Sequence, residues 1–150
     1  MTQTSFIKAF ALIIISTVFF SFIPSSNNKI EDDVLTYTNL FRSSKGLNPL
    51  TANKVLNVIA QQHSANMASG KVKFGHDGFA KRNAAASKQL SIRSFAENVA
   101  YGVTTGEAAV NLWKNSDGHR KNMMGNFSKI GIGVAKDKQG RIYYTQVFSD

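Results

Sequence analysis

The chain has 150 residues, no cysteine, and 18 Lys+Arg against 9 Asp+Glu, a formal charge of +9 at pH 7. That length fits one domain, and a hydrophobic fraction of 43% excludes a disordered chain, whose apolar content is too low to offset backbone ordering. Zero cysteines exclude a thiol nucleophile, a thiolate zinc site and any disulfide.

The first 26 residues read as an address. After Lys8, the apolar run Ala9 to Ile23 ends in Pro24-Ser25-Ser26. It is short for a membrane span, which takes about 20 residues, and the order of positive, apolar and small polar residues matches a secretory signal peptide. Cleavage leaves an exported domain of residues 27–150; without cleavage, residues 9–23 serve as an N-terminal anchor and the chain's membrane attachment. Either way the domain is expected outside the cytoplasm, at the cell surface, in the periplasm or in the medium. All nine acidic residues but only one fewer than all the basic ones lie beyond this segment, so the domain keeps a charge of +8.

The mature part opens with Ile30, Val34, Leu35, Thr38 and Phe41 at helical spacing, behind Glu31-Asp32-Asp33 placed where a helix N-terminus favours negative charge. A second helix is expected from Asn53, with Leu56, Ala60, His63 and Met67 as its core stripe and Gly70 as its stop. His76-Asp77-Gly78 reads as a turn, and Phe79 to Ser87 as a short helix. Phe95, Glu97, Val99 and Tyr101 then alternate as a strand, which places Glu97 on an apolar row. Thr104 and Glu107 match a capping box ahead of a helix carrying Ala109, Leu112, Trp113 and Ser116. Ile130, Ile132 and Val134, the turn Asp137-Lys138-Gln139-Gly140, and Ile142, Tyr144, Gln146 and Phe148 make a hairpin. Helices first and a hairpin last predict an α+β fold with an antiparallel sheet covered by helices.

Of the three glutamates, Glu31 belongs to a charged helix start and Glu107 to the capping box. Glu97 has no structural role of that kind, and burying it alone is costly. His63 sits in a core stripe and reads as a satisfied core histidine. His76 and His119 occupy turns that packing does not require. With Glu97 they supply three ligands for a divalent ion such as zinc, although no His-Glu-x-x-His spacing supports it. The same residues admit a nucleophilic reading, in which Ser116 and His119 face each other across a helix turn with Glu97 or Asp117 orienting the imidazole. Against that reading, no Gly-x-Ser-x-Gly elbow surrounds Ser116, and Ser116 with Asp117 also suits a helix end.

An ordered set of segments then carries a family resemblance: Phe41 to Leu50, Ala60-Gln61-Gln62-His63-Ser64, Phe74-Gly75-His76, Ala96-Glu97-Asn98-Val99-Ala100, Trp113 to Asn122, and Ile130 to Ala135 closing with Tyr144 to Phe148. Together they resemble the CAP superfamily of cysteine-rich secretory, antigen 5 and pathogenesis-related 1 proteins, also called the SCP domain, from about Ile30 to Phe148. The resemblance implies an α-β-α sandwich with a central antiparallel sheet and a cleft of two histidines and two acids that binds a divalent metal. The matching positions are His76, Glu97 and His119. The second glutamate of eukaryotic members falls on Ser116, with Asp117 as the nearest acid, and the missing carboxylate weakens any cation site. The cysteine-free Trp-x-x-Ser-x-Gly-His form resembles the bacterial branch.

The expectation is therefore a secreted or surface-anchored binding or interaction module with a metal-capable His/Glu cleft and an unknown extracellular ligand, for which a lipid or cell-envelope component is one candidate. The alternative is an extracellular, peptidase-like hydrolase using His119, Glu97 and Ser116. Nucleic acid is not expected as a partner, because the basic residues are scattered and the adjacent pairs are only Lys81-Arg82 and Arg120-Lys121.

Overall fold

The computed structural model describes residues 26–150, so the apolar run Ala9 to Ile23 lies outside the described residues. Nine elements follow: α1 (Ser26–Ser43), β1 (Thr51–Ala52), α2 (Lys54–Ala68), α3 (Phe79–Ser87), β2 (Phe95–Tyr101), α4 (Gly106–Lys114), α5 (Asp117–Met123), β3 (Lys129–Lys136) and β4 (Ile142–Ser149). The strands form one sheet in the order β1-β3-β4-β2. β2, β4 and β3 are antiparallel, as expected, but β1 runs parallel to β3. The hairpin register places Ile130 opposite Phe148, Ile132 opposite Gln146 and Val134 opposite Tyr144. This apolar row packs with Trp113, Val110 and Met123 from the helices over one face of the sheet.

On the opposite face, α2 approaches β3 at backbone distance. A Cβ on Gly131 would lie 2.1 Å from the Leu56 carbonyl carbon, and one on Gly133 would lie 2.2 Å from the Gln61 nitrogen. The glycines that alternate with Ile130, Ile132 and Val134 are therefore a seat for a helix. From this seat α2 also closes the sheet edge beyond the two residues of β1. Ile132 N donates to Asn57 Oδ1 at 3.0 Å, and Val134 N donates to Gln61 Oε1 at 2.9 Å while Gln61 Nε2 donates to the Val134 carbonyl at 3.0 Å. Four helical residues rise about 6 Å and two strand residues about 6.8 Å, so the i, i+4 amides keep step with alternate strand positions.

Several boundaries differ from the sequence reading. α1 starts at Ser26, which moves Glu31, Asp32 and Asp33 out of the first turn. The α4 cap is Thr105, not Thr104: its hydroxyl accepts from Ala108 N at 3.1 Å. Ser116 and Asp117 do not merely end α4; they begin α5, with Ser116 at the N-cap and His119 in the first turn. Asn53 caps α2 as expected, accepting from Val55 N and Leu56 N.

Candidate functional site

β2 is an edge strand, and its open side is where the expected site residues gather. Alternation sends Glu97 to the α2 face, where its side chain is fully buried. A carboxylate so placed needs compensation, and three elements provide it. Arg82, from α3, forms a bidentate pair: Nε donates to Oε2 at 2.6 Å and Nη2 to Oε1 at 2.7 Å. His76, in the turn before α3, donates from Nδ1 to Oε1 at 2.9 Å. His63, from α2, brings Nε2 to 3.9 Å from the same oxygen. Arg82 also donates to the backbone carbonyls of Asp77 at 2.8 Å and His76 at 3.3 Å, so one guanidinium fixes both the carboxylate and the turn beside it. That turn needs Gly78, whose φ of +81° belongs to the left-handed region.

His63 is buried and satisfied, as the core reading expected. Its Nε2 donates to the Gly75 carbonyl at 2.9 Å, which anchors the segment carrying His76. Burial pushes its pKa down, against the Gly75 carbonyl and the Glu97 charge, which raise it.

On the other side of β2, α5 supplies His119 and Asn122. Asn122 Nδ2 donates to the Glu97 carbonyl at 3.1 Å and to Asn98 Oδ1 at 2.9 Å, and Asn98 Nδ2 donates to the His119 carbonyl at 3.2 Å. Gln146 extends this buried amide network to Thr38 of α1. The His119 ring lies 6.4 Å from that of His76, centroid to centroid. Its pKa is lowered, first by burial and then by His76. Between these walls lies an open groove of about 460 Å³ lined by His76, Phe79, Phe95, Ala96, Glu97 and Asn122. Phe79 and Phe95 meet at 5.4 Å and form its apolar floor.

His76 and Glu97 thus line one groove, and His119 stands beside it with its ring 6.4 Å from that of His76. Asp117 does not join them: its side chain is 92% exposed and paired with Arg120 on its own helix. Among the described residues no hydrogen bond joins Ser116 to His119. Arg82, Asn98 and Asn122 are site residues that the sequence reading did not single out. The signal for Arg82 was present, since a helix immediately after the His76 turn places its fourth residue back over that turn.

The model of the cysteine-rich secretory protein family, CAP, matches residues 35–148. The chain belongs to the CAP family. Curated relatives are the uncharacterized protein YkwD of Bacillus subtilis, 36% identical over 75% of this chain and 45% of its own length, and the uncharacterized membrane protein YlbC of the same organism, 32% identical over 79% and 34%. This CAP chain therefore spans less than half the length of the curated relatives it matches. Among solved structures, an extracellular SCP-domain protein of Bacillus anthracis aligns with a TM-score of 0.72 and 28% identity over 82% of this chain and 41% of that one. A cysteine-rich secretory protein of Staphylococcus aureus aligns at 0.68 and 25% over 84% and 40%. The α-β-α sandwich is the fold they share with this CAP domain.

The divalent metal implied by the CAP resemblance meets an obstacle in this cleft. Both Glu97 oxygens already face a guanidinium that stays protonated at any working pH. Two imidazoles on one tetrahedral zinc have centroids about 5 Å apart, given Zn–N bonds near 2 Å, and this pair stands at 6.4 Å. Among the described residues no group of three or more His, Asp or Glu side chains converges to hold a metal ion. As arranged, the residues do not fit a bare divalent cation.

Proposed function

We propose that this CAP domain is an exported binding module whose groove takes an amphiphilic cell-envelope molecule, with its apolar part against Phe79 and Phe95 and its polar head at His76 and His119. The carrying observation is the state of Glu97. With Arg82 on both oxygens and His76 on one, this carboxylate is spent on holding the cleft wall and is not placed to take a proton from a water or a serine. What remains available to a ligand is polar: His76 Nε2 and the His119 ring have no hydrogen-bond partner among the described residues. Export is supported by the apolar run at residues 9–23 and by the extracellular origin of the Bacillus anthracis neighbour. Among the described residues no helix is long and apolar enough to cross a membrane, so attachment to one would fall to that run.

The test is a titration of the full chain with decanol and decanoate, read by NMR at the imidazole resonances of His76 and His119. Saturable shifts at both rings, lost in Phe79→Ala, are expected; shifts confined to residues outside the groove would reject the reading. Turnover of peptide or ester substrates that disappears in Glu97→Gln would establish the hydrolase instead.

A further inference from the structure

We infer that Arg82 is a resident cation: it holds the place at Glu97 that a divalent ion would need, and replacing it with a neutral residue unmasks a metal site made of His76, Glu97 and His119. Among the described residues Glu97 is the only carboxylate that lines the groove, so an ion held there with the two histidines would use it. Arg82 is built into this position and is not a surface group that happens to reach it. Its side chain is 13% exposed, both arms of its fork engage the carboxylate, and its remaining bonds run to the carbonyls of His76 and Asp77. A dication approaching Glu97 meets that fixed positive charge before it meets a free lone pair.

Without Arg82 the balance reverses. A fully buried carboxylate would keep only the imidazoles of His76 at 2.9 Å and His63 at 3.9 Å, and would lose the fixed positive charge on both its oxygens, which leaves a site that favours a cation. His76 is half exposed, and the His119 ring, which has no hydrogen-bond partner among the described residues, lies 6.4 Å from it, so the pair needs to close by only about 1 Å to reach zinc-binding separation. His63 stays committed to the Gly75 carbonyl and keeps the His76 segment in place. Zinc affinity in this chain is thus suppressed by one residue of α3 and not by the lack of a second acid alone.

The inference stands on Arg82 and Glu97 and not on the amphiphile reading, so failure of decanol to bind leaves it intact. Its test uses zinc-dependent melting and the visible absorption of cobalt(II) as a spectroscopic probe, on the full chain. The wild type is expected to show neither a rise in Tm nor tetrahedral cobalt bands at millimolar metal. Arg82→Gln gains both, saturably, and the double variant Arg82→Gln with His119→Gln loses them again. Arg82→Met, which keeps the packing of the stem, carries the same test if Arg82→Gln does not fold. A wild-type zinc response abolished by His76→Gln would overturn the inference, as would a folded neutral variant, checked by circular dichroism, that ignores both metals.

Discussion

At the scale of single residues, the histidines set how this protein responds to acid. Burial lowers the pKa of His63, and burial together with His76 lowers that of His119, both from an ordinary value of 6.5. The folded state therefore holds these rings neutral while the unfolded chain takes up protons below about pH 6.5. Stability is fully present above that value and is lost as the pH falls through the lowered folded pKa values. Thermal melts should show a Tm that declines progressively from about pH 7 to pH 5, and the decline should be shallower in His63→Gln. A flat profile over that range would mean that the rings titrate alike in both states. These residues also show what one sequence can disclose. Glu97 stood out because an acid on an apolar row demands a partner, and the histidines were natural candidates. Arg82 looked like half of a surface Lys-Arg pair, because the carboxylate that gives it a purpose lies 15 residues away in the chain.

At the scale of elements, the decisive contact is α2 on β3. Gly133 has no room for a side chain: a Cβ there would meet Gln61 N at 2.2 Å and the Ala60 carbonyl carbon at 2.3 Å, both backbone atoms that cannot rotate aside. Gly133→Ala should lift the helix from the sheet and cost about 3 kcal/mol, at the upper end for overpacked cores. Urea denaturation monitored by far-UV circular dichroism measures it, and a loss under about 1 kcal/mol would show that α2 shifts freely. The hairpin was legible because its alternation runs along both eight-residue strands, and α2 because its stripe spans about three turns. β1 and α5 were not. A two-residue strand has no period, and α5 is seven residues with one buried side chain, Met123, so its turn-forming Ser-Asp-Gly start looked like an ending. What holds α5 in place is the Asn98–Asn122–Gln146 network, whose members lie in three separate segments.

At the scale of the whole molecule, two helical layers enclose one sheet, and the cleft opens where the edge strand β2 passes between them. The chain carries +9, with its basic residues scattered along the sequence. Charge alone then predicts weak, screened attraction to anionic envelopes. Binding of the full chain to phosphatidylglycerol vesicles should fall at least tenfold between about 0.1 and 1 M salt, as the screening length shortens from about 10 Å to 3 Å. Binding that persists would assign the contact to the apolar run at residues 9–23. The side-chain closure of the sheet has a further effect. At one margin Asn57 and Gln61 occupy the β3 backbone, and at the other Asn122 and the Trp113 indole N–H occupy the Glu97 and Val99 carbonyls, the latter at 3.0 Å. Neither margin offers an uninterrupted row of backbone groups to a strand from another molecule. A protein without a single disulfide is thereby guarded against fibril-type self-association by amides and one indole, and truncating them should reveal the tendency before it unfolds the domain.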